Sequence, residues 1–426
     1  VAGIIVAFKD SSDERWNDAA AVAFARDARL AVPLSQSRRM AVGAIAMRFT
    51  KKLDGVHLDL LMDQLRADPR VAWVEPDLQM YAMTVPQDPL FSSQWAIRWE
   101  APGGINMPPV WDENVGNGMK IAVIDTGITT HPDLDANILP GYDFITDPNV
   151  ARDGNGRDAN PRDEGDWVGT APSSWHGTGV AGIIAAIPSN GVGISGATFN
   201  AKIIPVRVLG AGGGAVSDIS DAIVWASGGS VPGVPSNANP ASILNLSLGG
   251  LSASCPMSMQ NAISGAASRG ALVVVAAGNF SADASGTSPA NCANVLTVAA
   301  TNKSRMKPAY SNFGATVDIA APGGDFGAGQ GVLLTTNIGQ TVASTPGYKE
   351  LVGTSMAAPH VAAVAAIIRS GWGPFSPAQT ACILKKSALP LSSSECAGGC
   401  GAGFIQPFEA TLSAWPVAPD LGSCAW

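Results

Sequence analysis

Gly353-Thr354-Ser355-Met356-Ala357-Ala358-Pro359-His360 places a serine at the head of an almost wholly small or apolar run that continues to Ile368. The run predicts a buried helix starting at Ser355. Pro359 would then sit in its first turn, where backbone N–H groups have no intrahelical partner to lose. A serine at such a place usually caps the helix. Two further segments point to another use. In Ile121-Ala122-Val123-Ile124-Asp125-Thr126-Gly127, four apolar residues read as a buried strand that ends in a carboxylate. Asp125 then lies at the carboxyl end of a strand, where ligands and catalytic groups gather in open α/β sheets. In Trp175-His176-Gly177-Thr178-Gly179-Val180-Ala181-Gly182, His176 precedes a small-residue helix running to about Ile187. Alone, the aspartate reads as a turn former and the histidine as structural. Together they supply complementary chemistry. A serine hydroxyl is a weak nucleophile that must hand its proton to a neighbour. An imidazole titrates near neutrality and can take that proton and return it. A buried carboxylate fixes the imidazole tautomer and stabilises the cation that forms.

The order Asp, His, Ser is the one known from subtilisin. Asp125-Thr126-Gly127 with His131-Pro132-Asp133-Leu134, His176-Gly177-Thr178, and Gly353 to His360 all match blocks of that family. The chain therefore resembles the subtilisin-like (subtilase) serine proteases from about Gln94 to Ala414, with a family-like prodomain before it. One departure is Gly179, where many members carry a second histidine. A fourth block, the strand Ala271-Leu272-Val273-Val274-Val275 followed by Ala276-Ala277-Gly278-Asn279, also matches. The resemblance implies that Asn279 offers its amide, and Ser355 its backbone N–H, to the oxyanion of a tetrahedral intermediate. It further implies that peptide binds as an added strand between two edges, Ser247-Leu248-Gly249 and the Gly212-Gly213-Gly214 region. The pocket for P1, the residue before the scissile bond, would lie between Leu248-Gly249 and Ala276-Ala277-Gly278. No charge is visible there, so an apolar P1 is expected over a basic one. A narrow processing protease cutting after basic residues and a catalytically silent binding module are the competing readings.

The run from Asp147 to Asp166 is rich in carboxylates and glycines. Calcium prefers several oxygen ligands on a flexible loop, so Asp153, Asp158, Asp163 and Asp166 are the expected ligands of a structural ion. Asp133 and Asn190 are expected to contribute to a second. No organic cofactor is implied.

Residues 1–83 predict a small α+β unit: strands Gly3 to Phe8, Met40 to Phe49 and Val71 to Val74, with helices Asp13 to Arg29 and His57 to Arg66. This is read as the β-α-β-β-α-β order of a ferredoxin-like sheet, one strand of which is not separately assigned. By resemblance this is a propeptide acting as chaperone and inhibitor, with its scissile bond at Met83–Thr84. Met83 would then occupy S1, the pocket for P1, and Met80 the pocket for P4. Residues 84–426 alternate strands (Ile121–Ile124, Lys202–Leu209, Ser242–Leu248, Leu272–Ala276, Val295–Ala299) with helices (Gly177–Ile187, Val216–Ala226, Met257–Arg269, Ser355–Ser370, Pro377–Ser387). This predicts a doubly wound, mainly parallel α/β sheet with flanking helices.

The chain is 426 residues long, with a net charge of −8 and mean hydropathy of +0.18. Residues 1–83 hold eleven basic and eleven acidic side chains, so the whole negative excess lies in the second part. Such a balance argues against a nucleic-acid partner, which needs a basic patch. No segment is long and apolar enough to span a membrane. A monomer acting on peptides, with its own propeptide as inhibitor, is expected. All six cysteines lie beyond residue 250, which reads as disulfides in a secreted protein. Six cysteines allow fifteen pairings; the preferred set is Cys255–Cys292, Cys396–Cys400 and Cys382–Cys424. No signal peptide opens the sequence, and one removed or left out is expected.

Overall fold

The computed structural model describes residues 3–9, 23–24, 33–51, 53, 55–77, 85–371, 373 and 375–413. The chain divides into two compact units, Val1–Ala82 and Met83–Trp426.

The first unit contains strands β1 (Gly3–Phe8), β2 (Leu34–Arg39) and β3 (Ile45–Phe49), helix α1 (Gly55–Arg66) and strand β4 (Val71–Pro76). The sheet order is β2-β3-β1-β4, antiparallel throughout. The expected strand from Met40 is shorter than its alternation suggested. Residues 40–44 form the turn of a β2–β3 hairpin, closed by Met40 N–H to Ala44 O at 2.8 Å. Leu34–Arg39 was missed because its residues, Leu-Ser-Gln-Ser-Arg-Arg, are mostly polar and exposed, as befits an edge strand. The expected helix Asp13 to Arg29 lies almost wholly outside the described residues, as do Met80, Met83 and Thr84.

The second unit is built on β5 (Lys120–Asp125), β6 (Tyr142–Asp143), α2 (His176–Ala185), β7 (Lys202–Arg207), α3 (Val216–Ala226), β8 (Ile243–Leu246), α4 (Met257–Ser268), β9 (Leu272–Ala276), β10 (Val295–Thr301), β11 (Ile319–Pro322), β12 (Val332–Asn337), β13 (Pro346–Leu351), α5 (Thr354–Gly371) and α6 (Pro377–Lys386). Seven parallel strands lie in the order β11-β10-β9-β8-β5-β7-β6, and β12–β13 form a separate antiparallel hairpin. The strand order reverses around β5 and β8, so a crevice opens at their carboxyl ends.

Side-chain alternation along β5 decides what each face packs against. Ile121 and Val123 join the core under α2, α5 and α6, with Val180, Ile184, Val361 and Ile383. Ala122 and Ile124 join the opposite core under α3 and α4, with Ile223 and Ile263. Both faces are buried, which explains why the strands read as continuous apolar runs. By the same parity Asp125 turns toward the α2 and α5 face, the face on which His176 and Ser355 begin their helices.

Cys255–Cys292 and Cys396–Cys400 are disulfides. Cys382 is also disulfide-bonded, and Cys424 lies outside the described residues.

Candidate active site

Asp125 is fully buried at the end of β5. Its carboxylate oxygens lie 2.8 and 2.9 Å from His176 Nδ1, the first residue of α2. The backbone N–H of Thr126 donates to the same carboxylate at 2.7 Å. Such close approach of strand end and helix start depends on missing side chains. A Cβ on Gly177 would lie 2.2 Å from Gly127 O, and one on Gly127 would lie 2.5 Å from Pro161 O. Burial of the imidazole disfavours its cation. The charge and hydrogen bond of Asp125 outweigh that, with a smaller contribution from Asp166, and the His176 pKa is raised. The arrangement can orient a neutral imidazole and stabilise it once protonated.

Ser355 is the second residue of α5, which starts one residue earlier than expected, at Thr354. Pro359 consequently lies inside the helix, not in its first turn. A proline there removes the N–H that would bond the carbonyl four residues back, which is that of Ser355. Ser247 Oγ donates to this carbonyl instead, at 2.8 Å. Reciprocally, Ser355 Oγ donates to Ser247 O at 3.0 Å. Among the described residues no hydrogen bond joins Ser355 to His176. Such contacts commonly tighten only when substrate is bound.

Asn279 follows β9. Its Oδ1 accepts from Thr354 N–H and Thr354 Oγ, both at 2.9 Å. Thr354 Oγ in turn accepts from Gly278 N–H at 3.1 Å. With its oxygen held, Asn279 has Nδ2 left to donate. Ser355 lies in the first helical turn, where N–H groups have no intrahelical acceptor. Both donors expected for an oxyanion thus occur at the start of one helix.

Gly212, Gly213 and Ser247 line a cleft with His176, Leu209 and Asp166. Leu248 is half-buried, and Ala276, Ala277 and Gly278 are buried. A Cβ added to Gly249 or to Gly278 would meet Thr287 Cγ2, at 3.4 and 3.2 Å, so these two segments do converge. The disulfide at Cys255 and the short pairing of Leu251 with Thr287 tie the Ser247–Leu251 edge to this wall. At Gly179 a Cβ would lie 2.9 Å from Leu334 Cδ1. Leu334 thus occupies the space that a larger residue at position 179 would claim.

In the acidic loop the four expected ligands are all engaged by protein groups. Among the described residues, no three His, Cys, Asp or Glu side chains gather as a metal-holding group. Asp153 pairs with Arg207 at 3.3 Å. Asp158 accepts from Asn155 Nδ2 and Asn160 N–H. Asp163 is buried and accepts from Thr126 Oγ at 2.6 Å, while Thr126 Oγ accepts from Gly177 N–H at 2.9 Å. Burial pushes the Asp163 carboxyl up to about 7. Asp166 accepts from Ser174 N–H and Oγ at 2.6 and 2.7 Å. Composition points to these residues as ligands; in the fold each is engaged by protein groups, and Asn155 donates to both Asp153 and Asp158. Sequence reading also missed Thr126 and Thr354, whose hydroxyls link the segments; their only signal is a place inside the two matched blocks. Asp133 and Asn190 do meet, Asn190 Nδ2 donating to Asp133 at 2.8 Å. Ile194 N–H and Tyr348 OH donate to the other Asp133 oxygen. Asp88 accepts from Ser189 and Asn190 N–H on the same loop. Burial raises the carboxyl pKa of both Asp88 and Asp133.

Residues 116–403 match the model of the Subtilase family. An "Extracellular protease" of Xanthomonas campestris pv. campestris is 48% identical over 428 aligned residues, covering 96% of this chain and 72% of that protein. An "Alkaline protease" of Alkalihalobacillus alcalophilus is 36% identical over 339 residues, covering 79% and 74%. A solved protease structure from Pseudoalteromonas arctica superposes with a TM-score of 0.76 at 46% identity, covering 78% of this chain and all of that one.

Proposed function

Since the chain belongs to the subtilase family of serine proteases, we propose that Ser355, His176 and Asp125 hydrolyse peptide bonds by covalent catalysis, with Asn279 completing the oxyanion site. The observation that carries this reading is the convergence of the buried Asp125, the His176 it bonds and Ser355 on one face of the sheet. On substrate binding the Ser355 hydroxyl leaves Ser247 O and turns to His176 Nε2. Ser355 Oγ attacks the carbonyl carbon as His176 takes its proton. Asn279 Nδ2 and the Ser355 N–H receive the developing oxyanion. His176 then protonates the leaving amine, and the C–N bond breaks. Water, deprotonated by His176, cleaves the acyl-enzyme and restores Ser355. The P1 pocket is uncharged, formed by Leu248, Gly249 and Ala276 to Gly278, and takes an apolar side chain. A phosphonylating probe should label the active protein at Ser355 and leave Ser355→Ala unlabelled and inactive. Labelling elsewhere, or turnover by that variant, refutes the assignment.

The protein acts outside the cell, as the extracellular naming of its relatives suggests. Residues 1–83 serve as an inhibitory propeptide, with Met83 as its P1 and Met80 as its P4 residue. Support comes from the separate four-stranded unit. The unit supplied separately should inhibit, and Met83→Asp should weaken it by placing an unpaired charge in an apolar pocket.

A structural calcium ion is proposed at Asp133 and Asn190, beside Asp88. Two buried carboxylates meet the 189–194 loop there, and a hard cation would favour their ionised forms. Its contribution would be to hold this loop. Chelation should shorten the half-life at raised temperature; equal inactivation rates with and without chelator would dismiss the ion.

A further inference from the structure

Asp166 is the one carboxylate among the residues that line the cleft beside His176. It is half-buried, and each of its oxygens already holds one hydrogen bond from Ser174. A carboxylate offers about four lone-pair sites, so two remain. The two hydrogen bonds donated by Ser174 fix the group, and an added cation need not pay to order it. Lys349 is a counter-charge that interacts with Asp166. Its Nζ is committed to Ser174 O at 2.7 Å, and it is not among the residues lining the cleft.

A peptide laid as a strand between Gly212-Gly213 and Ser247 alternates its side chains. If P1 is directed toward Leu248 and Gly278, the preceding residue, P2, turns the opposite way, toward His176, Leu209 and Asp166. We propose that Asp166 makes this P2 position selective for lysine or arginine, so that the enzyme combines an apolar P1 with a basic P2. The proposal rests on the catalytic reading above. It differs from a processing protease that cuts directly after a basic residue, because the charge lies on the wall of the neighbouring pocket.

Three peptides that differ only in Lys, Ala or Glu at P2, each with the same apolar P1, test it. For the active protein, kcat/KM should favour Lys over Glu by roughly tenfold at low salt, and the ratio should shrink at high salt. In Asp166→Asn, which keeps the shape and can still bond Ser174, the ratio should fall to about twofold or less. An unchanged ratio in the variant, or no preference in the parent, overturns the proposal. So does an equal fall for all three peptides, which would make Asp166 only a support for Ser174 and the His176 helix. If the parent cleaves none of them and a serine-directed probe does not label it, the catalytic reading fails and takes this one with it. Labelling without cleavage of any peptide overturns the P2 assignment alone.

Discussion

Asp125 and Asp163 are both buried and both reach the same corner of the chain, yet their partners differ. Asp125 faces an imidazole that can become a cation. Asp163 faces the Thr126 hydroxyl and the Gly165 N–H, dipoles that carry no charge. Its carboxyl is pushed up to about 7 by burial. The difference teaches that burial alone does not define a carboxylate's job. The partner does. Asp125 can stabilise charge that appears during reaction, whereas Asp163 braces the Thr126–Gly177 link that keeps strand end and helix start together.

Substitution at the two sites should separate these roles. Asp125→Asn should lower kcat by about 10⁴-fold, the scale established for triad aspartates in serine proteases, because the imidazole loses its tautomer and its counter-charge. A fall of less than a hundredfold would remove the contrast. Asn279→Leu should cost roughly 10²–10³-fold in kcat with little change in KM, again a scale known from subtilisin. A large KM rise at constant kcat would move Asn279 to ground-state binding.

Asp163→Asn should cost about tenfold or less in kcat, since the amide oxygen can still accept from Thr126. Its clearer effect is on stability against pH. A carboxyl with a raised folded-state pKa keeps its proton in the folded protein while the unfolded chain loses it. Stability from this group is therefore lost as pH rises from about 4 to about 7. The variant should flatten that slope in a series of Tm measurements. An identical slope in parent and variant would assign it to other groups, of which Asp143, also pushed up to about 7, is the first candidate.

The contrast also explains what could be read without coordinates. Asp125, His176 and Ser355 are legible because each closes or opens an apolar element whose period is visible, and those elements occur where expected. The hairpin β12–β13 was not anticipated. Its second strand, Pro346–Leu351, is mixed in polarity and only partly buried, so it carries no alternation. The bracing contacts of Asp163 were not legible, because loop composition reveals the number of carboxylates but not the partners each one meets. The hydrogen bond from Thr126 spans 37 residues and leaves no local pattern.

Pro359 carries a consequence for engineering. Proline inside a helix is an obvious target for a stabilising replacement, because the missing hydrogen bond can be restored. Here the vacancy it leaves is filled by Ser247, a residue of the substrate-binding edge. An alanine at 359 would offer the Ser355 carbonyl a second donor and set the helix in competition with the cleft. The stiffer helix would then come with a nucleophile less firmly registered against its substrate. At this position thermal robustness and catalytic precision are alternatives, and the natural sequence has chosen the latter.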